Sequence, residues 1–341
     1  MKAIQYTRSG PAEVLELVER NLPEVTPGQV RVRIAVSGVN PTDWKSRIGS
    51  GSGERLPHPK VPNQDGAGTV DAIGAGVSSV SVGTRVWVWD AAFERDEGTA
   101  QEYVVLPEHQ VVALSDGASF DVGASLGIPA LTAHRALTAA EDGPAILEPN
   151  ALHNKIVLVP GGAGAVGHAA IQLAVWAGAT VITTISSDAK AELARKAGAH
   201  HIINYRTEDV VTRIGEIAPA GVSTIVEVNA TENLEADVDV VARGGTIAIY
   251  TSDDNPTVPV PVRASMTKNV RIQFVLTYTT SDTQKWNAVN AVAAAERDGA
   301  LQVGEEHGLP LTRFSLAESA AAHRAVEQDT VGKVLIDVGD H

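Results

Sequence analysis

Residues 157–186 read "VLVPGGAGAVGHAAIQLAVWAGATVITTIS": an apolar run, a glycine-rich turn, a helical pattern and a second apolar run. Gly162, Gly164 and Gly167 form the pattern G-x-G-x-x-G between the strand-like "KIVLV" and the helix, as in dinucleotide-binding loops. The first glycine permits a tight turn, the second lets a pyrophosphate approach the backbone, and the third allows close packing of helix on strand. A glycine turn without a ligand is the alternative. The β-loop-α-β context favours dinucleotide binding, with the pyrophosphate at the start of the helix.

The chain around this loop alternates strand and helix patterns. Because the strands lack clean apolar–polar alternation, they predict a parallel sheet covered on both faces. The predicted strands are 156–159, 180–184, 201–204, 224–228, 245–250 and 271–276, and the predicted helices are 165–177, 189–197, 208–217, 234–242 and about 281–298. The first 127 residues instead show period-two strands separated by glycines, such as "VRVRIAVSGV" at 30–39. The sequence therefore predicts an α/β protein with a β-rich first domain and a doubly wound second domain.

The composition limits the classes of partner. The chain has 341 residues, 44% apolar and 20% charged, with a formal net charge of −14. The length favours two domains, and the negative charge disfavours nucleic acid or an anionic membrane as a partner. No apolar run of about 18 residues predicts a membrane span, and the strand-like start "MKAIQYT" argues against a signal peptide, so we expect a cytoplasmic location. The absence of cysteine excludes disulfides, thiolate zinc sites and cysteine nucleophiles.

The end of the second strand of the parallel sheet bears on the choice between NAD and NADP. An acidic residue there would hold the ribose 2′-hydroxyl of NAD and repel a 2′-phosphate. The strand ends "TTISS" without a carboxylate, and Lys190 follows Asp188 at the start of the next helix. Ser186, Ser187 and Lys190 form a candidate 2′-phosphate site, although Ser187 with Asp188 is also typical of a helix N-cap. The pattern favours NADPH.

The order of several motifs resembles the medium-chain dehydrogenases/reductases, and specifically the zeta-crystallin-type NADPH:quinone oxidoreductases. These motifs are "GVNPTDWKSRIG", "VPNQDGAGTV", "GTAQEYV", "GIPALTAHRAL", the glycine loop, "AGAHHIINYR", "ARGGTIAIY" and the closing "GKVLIDV". The resemblance covers nearly the whole chain. It implies a GroES-like catalytic domain formed by residues 1–127 and 280–341 and a Rossmann NADP-binding domain at 128–279.

The resemblance also implies roles for individual residues. Asn40 and Thr132 are expected beside the nicotinamide, and Ser186, Lys190 and Tyr205 around the 2′-phosphate. Asn233 is expected on the adenosine side. The remaining cofactor-binding residues are Gly162, Ala163, Gly164, Ala165, Val166 and Gly167 at the pyrophosphate, Ser187 near the 2′-phosphate, and Tyr250, Thr251, Ser252, Asp253, Val275, Leu276 and Thr277 at the nicotinamide carboxamide. Gln328 stands where some relatives carry an arginine toward the 2′-phosphate, which weakens the NADPH assignment without reversing it.

No metal is predicted. Zinc-dependent relatives place a cysteine near Asn40 and a His-Glu pair near Gln64 and Asp65, and neutral amides are poor zinc ligands. His200 and His201 are adjacent on a predicted strand, so they point to opposite faces and cannot chelate together. The chain therefore resembles the zinc-free branch of the superfamily.

The chemistry follows from the missing metal site. Hydride transfer needs hydrogen-bond donors for developing oxygen charge, and reduction of a simple ketone is hard without a metal Lewis acid. Quinones and activated alkenes are more electrophilic. The candidate catalytic donors are Asn40, Lys45 and Gln64, each with an ordinary surface or turn role as the alternative. Asp43 is expected to order the loop, and Trp44 to form a cleft wall.

Three functions remain open at this stage. The first is an NADPH-dependent quinone reductase. The second is a reductase of α,β-unsaturated carbonyls or enoyl thioesters, which Lys45 disfavours because many relatives carry a tyrosine at that position. The third is a non-catalytic dinucleotide-binding, structural or RNA-binding protein, against which the net charge argues. The predicted last strand of the parallel sheet forms an edge that needs cover, so a homodimer or homotetramer is expected from the relatives.

Overall fold

The structure of the chain, a computed structural model, describes residues 1–49, 53–252 and 257–339. The strands are β1 (Lys2–Arg8), β2 (Glu16–Glu19), β3 (Gln29–Val39), β4 (Arg55–Lys60), β5 (Asp65–Ile73), β6 (Arg85–Val88), β7 (Tyr103–Pro107), β8 (Val111–Ala113), β9 (Ile156–Pro160), β10 (Thr180–Ile185), β11 (His201–Asn204), β12 (Val222–Glu227), β13 (Val241–Ile249), β14 (Arg271–Phe274), β15 (Leu311–Ser315) and β16 (Lys333–Asp337). The helices are α1 (Pro41–Ile48), α2 (Phe120–Leu137), α3 (Ala165–Trp176), α4 (Asp188–Lys196), α5 (Val210–Ile217), α6 (Ala230–Val240), α7 (Val262–Lys268), α8 (Asp282–Arg297) and α9 (Ser319–Glu327). The chain divides into two compact units, Met1–Ile128 with Pro310–His341, and Pro129–Leu309.

The second unit contains a six-stranded parallel sheet in the order β11-β10-β9-β12-β13-β14. The order reverses between β9 and β12, which is the switch point where doubly wound sheets bind their ligands. The strands are apolar because helices cover the sheet, and Leu158, Ile182, Ile225 and Ile247 are buried in its core. The predicted doubly wound Rossmann architecture is confirmed.

The first unit is built mainly from antiparallel strands. Its larger sheet has the order β15-β16-β3-β5-β6-β8, with β7 paired to β3, and its smaller sheet has the order β2-β1-β4. The pair β15–β16 is parallel. Alternate residues of the strands, including Val32, Ile34, Val70 and Ile336, enter a shared apolar core. The predicted β-rich domain is confirmed.

Most elements of the second unit start or end within a few residues of their predicted bounds. The predicted strand at 201–204 matches β11, and the predicted helix at 165–177 matches α3 closely. Strand β13 begins at Val241, four residues before the predicted start, and α6 spans Ala230–Val240 where 234–242 was predicted. Helix α7 has no counterpart in the predictions, since it follows a proline-rich segment and buries none of its residues. A short exposed helix leaves little apolar periodicity to detect.

The return of the chain to the first unit lies later than the sequence suggests. The structure divides the chain at Ile128/Pro129 and again at Leu309/Pro310, whereas the resemblance places the second break at residue 280. The segment between belongs to the second unit because α8 packs against α3. Beyond α8, the Gln172 side chain bonds both the N–H and the carbonyl of Gln302, and a His168 ring nitrogen bonds the His307 carbonyl. Within the described ranges, no helix is long and apolar enough to cross a membrane.

Candidate active site

The glycine loop joins β9 to α3 in the tight conformation expected of a phosphate-binding turn. Gly161 has a φ of 71°, which favours glycine. A Cβ on Gly162 would lie 2.2 Å from the Thr183 hydroxyl, and a Cβ on Gly167 would lie 2.5 Å from the Gly161 carbonyl oxygen. Internal packing therefore requires glycine at both of these positions.

Gly164 differs from its neighbours because internal packing does not require glycine there. It is the N-cap of α3, with an ordinary extended backbone, and among the described residues a Cβ would meet only the Gly161 carbonyl oxygen, at 3.5 Å. The space in front of Gly164 is open, so a glycine at this position leaves the backbone accessible. This fits a ligand that approaches the loop from outside.

The first turn of α3 offers hydrogen-bond donors to such a ligand. The backbone N–H groups at the start of a helix have no acceptor within the helix, and Gly164 carries no side chain to cap them. Ala165 and Val166 are half-buried at this end. Together with the helix dipole, these N–H groups favour an anion such as a pyrophosphate.

The residues expected at the 2′-phosphate lie on two adjacent strand ends. Strands β10 and β11 are paired, and the Tyr205 N–H donates to the Ile185 carbonyl at 3.1 Å, which places Tyr205 next to the start of the "SS" segment. Ser187 is the N-cap of α4, and its hydroxyl accepts the Lys190 N–H at 3.4 Å. The capping alternative is therefore confirmed, and it leaves the hydroxyl hydrogen and the half-buried Lys190 side chain for a ligand.

Arg206 is a further cation at this edge that the sequence reasoning passed over. It follows Tyr205 directly and is exposed, while its N–H donates to the Asn204 side chain at 3.1 Å. The signal was present in "INYR", where a basic residue lies just beyond a predicted strand. With Lys190, it gives the end of β10 and β11 two positive side chains.

The carboxyl ends of β13 and β14 line a cavity of about 550 Å³. Five of the residues expected at the nicotinamide carboxamide lie along it: Tyr250, Thr251, Ser252, Val275 and Leu276. Arg135, Gln273 and Gln284 add polar groups to its wall. Thr132 and Thr277 are both buried in the same unit. Asp253 lies outside the described residues.

Asn233 lies on α6, where its side-chain nitrogen donates to Glu227 Oε1 at 2.9 Å. Glu227 is the last residue of β12 and is fully buried. The amide oxygen of Asn233 is therefore oriented away from this carboxylate. Neither Glu227 nor its neighbour Asp237 was singled out from the sequence.

In the first unit, Asn40 is held within a buried polar cluster. Its side-chain nitrogen donates to Asp65 Oδ2 at 2.7 Å, and its side-chain oxygen accepts from Lys333 Nζ at 2.6 Å. The Lys333 Nζ lies 3.8 Å from Asp65 Oδ2. These contacts fix which way the amide points, and within the described part of the chain they leave one amide hydrogen of Asn40 for a further acceptor.

Lys333 is the residue of this cluster that the sequence reasoning missed. It begins β16 and is 1% exposed, and burial lowers the pKa of its ammonium while Asp65 and Asp43 oppose that shift. Its only signal was a charged residue at the head of the apolar closing strand "KVLID". A buried cation of this kind needs paired carboxylates.

Two buried aspartates complete the cluster. Asp65 accepts the Ile128 N–H at 2.9 Å, and burial raises the pKa of its carboxyl to about 6. Asp43 accepts the N–H groups of Asn40 at 2.7 Å and Gln64 at 3.1 Å, so it orders this loop as expected. Burial and the Asp65 charge raise the pKa of Asp43 to about 8, while the two N–H groups oppose that rise.

The other two candidate donors occupy different environments. Gln64 is buried, and its side-chain oxygen accepts the Ala92 N–H at 3.0 Å. Lys45 is exposed on α1, with its Nζ 5.7 Å from the centre of the half-buried Trp44 ring. The structure therefore brings Asn40 and Gln64 together through Asp43, and places Lys45 on the surface of the unit.

A catalytic zinc ion does not fit this cluster. The chain has no cysteine, and the Asp65 carboxylate is engaged by the Ile128 N–H and the Asn40 amide. Asn40 is a neutral amide bonded to an ammonium group. Over residues 1–49, 53–252 and 257–339, no group of three or more His, Cys, Asp or Glu side chains is placed to hold a metal ion.

Comparison with known proteins identifies the family. The family model described as "Alcohol dehydrogenase GroES-like domain" matches residues 26–116, and "Zinc-binding dehydrogenase" matches residues 165–295. A quinone oxidoreductase of Mus musculus is 31% identical over 73% of this chain and 72% of its own length. The chain belongs to the quinone oxidoreductase family of medium-chain dehydrogenases/reductases. A quinone oxidoreductase of Lama guanicoe is 29% identical over 98% of this chain and 97% of its own.

Further comparisons find similar proteins that are named for other reactions. A 2-haloacrylate reductase of a Burkholderia species is 28% identical over 98% of both chains. Among solved structures, an NAD-dependent alcohol dehydrogenase has a TM-score of 0.83 at 28% identity and covers 99% of this chain and 100% of its own. A mycobacterial protein complexed with NADPH has a TM-score of 0.78 at 28% identity and covers 98% of this chain and 99% of its own. The family-model match over residues 26–116 confirms that the first unit of this quinone oxidoreductase family member is GroES-like.

Proposed function

We propose that the chain is an NADPH-dependent reductase whose substrates are quinones. The observation that carries the proposal is the start of α3 at Gly164, which is open and has no side-chain cap. It is combined with the end of β10, where serines and cations stand in place of a carboxylate. Family membership supports it, since relatives are named quinone oxidoreductases and one structural relative is complexed with NADPH.

The coenzyme roles are assigned to the second unit, Pro129–Leu309. The N–H groups of Ala165 and Val166 would hold the pyrophosphate, and Ser186, Lys190 and Tyr205 the 2′-phosphate. The residues along the cavity at β13 and β14 would orient the nicotinamide ring. When bound, the coenzyme supplies a hydride to the substrate. An absent carboxylate at the end of β10 removes the repulsion that would select against a 2′-phosphate.

The substrate role is assigned to the first unit. The donor set does not fit zinc, so polarisation of the substrate oxygen falls to hydrogen-bond donors. The fixed amide of Asn40 is preorganised by Lys333 and Asp65, whereas Lys45 and Gln64 are assigned supporting roles. A quinone suits this arrangement because its product anion is delocalised and needs less stabilisation than an alkoxide. The proton for the product oxygen can come from solvent.

A second candidate substrate class is the α,β-unsaturated carbonyls. It is favoured by the 2-haloacrylate reductase of Burkholderia and by a 2-methylene-furan-3-one reductase of Solanum lycopersicum. The electrophilic β-carbon of an enone accepts hydride in the same way as a quinone carbon. A purely structural or RNA-binding role is not favoured, given the net charge of −14.

The proposal is tested in two steps. Titration with NADPH and NADH, followed by nicotinamide fluorescence, should show preferential binding of NADPH. Steady-state assays with NADPH should then show higher kcat/KM for a 1,4-quinone than for an enoyl thioester or a 2-haloacrylate. A preference for NADH would overturn the coenzyme assignment, and turnover confined to the unsaturated acids or thioesters would overturn the quinone assignment.

We also propose that the chain forms a homodimer or homotetramer through the β14 edge. Strand β14 ends the parallel sheet, and Phe274 on it is 73% exposed. Val262 and Met266 of α7 are also exposed apolar residues. An edge that no described strand pairs with, beside exposed apolar side chains, favours pairing with a second copy. The cytoplasmic location stays a prediction from the sequence.

A further inference from the structure

Two buried carboxyl groups meet at the carboxyl end of β12. Glu227 is fully buried, and its Oε1 accepts the Asn229 N–H and the Asn233 side-chain N–H, the latter at 2.9 Å. Asp237, 3% exposed, lies four residues after Asn233 on α6 and therefore on the same face of the helix. Its carboxyl group lies close enough to that of Glu227 for a hydrogen bond when one of the two groups is protonated.

This contact requires a proton. The remaining oxygens, Glu227 Oε2 and Asp237 Oδ2, are buried and have no donor among the described residues. Two ionised carboxylates hold no hydrogen, so a hydrogen bond between them exists only when one carries a proton. Like charges in contact within a buried site cannot both ionise at neutral pH. Asp237 is the donor, because Glu227 already accepts two N–H groups that favour its charged form.

Among the residues that the structure describes, the elements packed against α6 supply no cation to neutralise the pair. On α5, Arg213 bonds Glu208 and Glu216, and on α7 the Lys268 ammonium donates to backbone carbonyls at the end of α6, while Arg263 is exposed. On β13, Arg243 is exposed. Tyr250, which follows β13, faces Glu227, and burial and that negative charge raise the pKa of its hydroxyl.

We propose that Glu227 and Asp237 share one proton, and that this protonated pair positions Asn233 and the backbone after β12 for coenzyme binding. The inference rests on the proposed function, in which Asn233 serves the adenosine side of NADPH. With the proton present, Glu227 is fixed by Asp237 on one side and orients Asn233 on the other. Loss of the proton places two negative charges in contact, so Glu227 must turn away from the pair and Asn233 loses its acceptor.

The pH dependence has a definite sign. Burial and Glu227 raise the pKa of Asp237 well above its usual range. A raised pKa in the folded state means that the stabilising proton is held at low pH and lost as the pH rises through that value. NADPH affinity should therefore fall as the solution becomes alkaline.

The experiment measures the Kd of NADPH from pH 7 to 9.5 by nicotinamide fluorescence. The wild-type protein should lose affinity progressively as the pH rises over this range, by at most about tenfold for each pH unit above the pKa of the pair. Asp237→Asn and Glu227→Gln each replace the shared proton by an amide hydrogen that no pH removes. Both variants should therefore bind with a much flatter pH profile. Glu235→Gln, an exposed carboxyl on the same helix, should follow the wild type.

The outcomes separate this inference from the proposed function. A flat wild-type profile, or variants that fall in parallel with the wild type, would overturn the inference while leaving NADPH binding intact. Absence of NADPH binding at every pH would instead overturn the proposed function. In that case the shared proton can still be tested by thermal unfolding of the protein without coenzyme. The Tm of the wild type should fall more steeply with rising pH than the Tm of Asp237→Asn. Equal slopes of Tm against pH in the two proteins would show that Glu227 and Asp237 do not share a proton.

Discussion

At the scale of single residues, the Asn40 amide depends on a cation from the far end of the sequence. Lys333 bonds the Asn40 oxygen and lies close to the buried Asp65 carboxylate. Lys333→Met removes the cation and leaves the carboxylate buried without charge compensation. We expect a loss of about 3–5 kcal/mol in the free energy of unfolding, measured by urea denaturation.

The matched control for this change is the double variant Lys333→Met/Asp65→Asn. It removes both charges, and the introduced amide keeps an oxygen that can accept the Ile128 N–H. Most of the lost stability should return, since neutral groups cost less to bury than an unpaired charge. Equal destabilisation in the single and the double variant would show that the charge pair is not the cause.

Lys190 tests the coenzyme assignment at the same scale. Lys190→Glu places a negative charge where the 2′-phosphate is expected, so NADPH binding should weaken by roughly 1–3 kcal/mol, with little change for NADH. Titration by nicotinamide fluorescence measures both. Lys196→Glu makes the same charge change in the last turn of α4 and should leave both affinities unaltered. Equal losses of affinity for NADPH and NADH in Lys190→Glu would show that Lys190 does not contact the 2′-phosphate.

The sequence identified these residues unequally, for a physical reason. Ser187, Lys190 and the glycines lie within one β-loop-α-β unit, where spacing along the chain determines proximity. Lys333 meets Asn40 only through the pairing of β16 with β3, and Asp237 meets Glu227 only through the packing of α6 on β12. Such contacts depend on tertiary structure, and a single sequence has no local pattern that reveals them.

At the scale of elements, the loop before α3 separates glycines needed for packing from one needed for ligand approach. Gly164→Val should leave the fold intact, because the position has ordinary backbone angles and open space, but it should abolish or severely weaken NADPH binding. Gly162→Val should destabilise the protein by about 1–3 kcal/mol through overpacking against Thr183 and Ile171.

Thermal unfolding and coenzyme titration of both variants distinguish the two roles. The expected pattern is a nearly unchanged Tm with lost binding for Gly164→Val, and a lowered Tm for Gly162→Val. Wild-type affinity in Gly164→Val would mean that no ligand approaches the backbone there, and the pyrophosphate site would have to lie elsewhere.

The sequence predicted well those elements whose hydrophobic pattern extends over their whole length. Helix α3 and strand β11 carry strong local patterns, and their bounds follow from them. Helix α7 buries none of its residues, so it has no apolar face to recognise. The break at Leu309/Pro310 depends on α8 packing against α3, which periodicity alone does not assign to one unit or the other.

At the scale of the whole molecule, the exposed edge of the parallel sheet predicts self-association. We expect the wild type to have the mass of a dimer or a tetramer in light scattering after size-exclusion chromatography. Phe274→Glu places a charge on the edge strand at a side chain that is 73% exposed. It should lower the mass toward the monomer, because a charge on an edge opposes pairing with another strand.

Leu22→Glu makes a comparable change at a 47% exposed residue of the first unit and should leave the mass unchanged. A monomeric wild type, or a Phe274→Glu variant that keeps the wild-type mass, would exclude β14 as the interface.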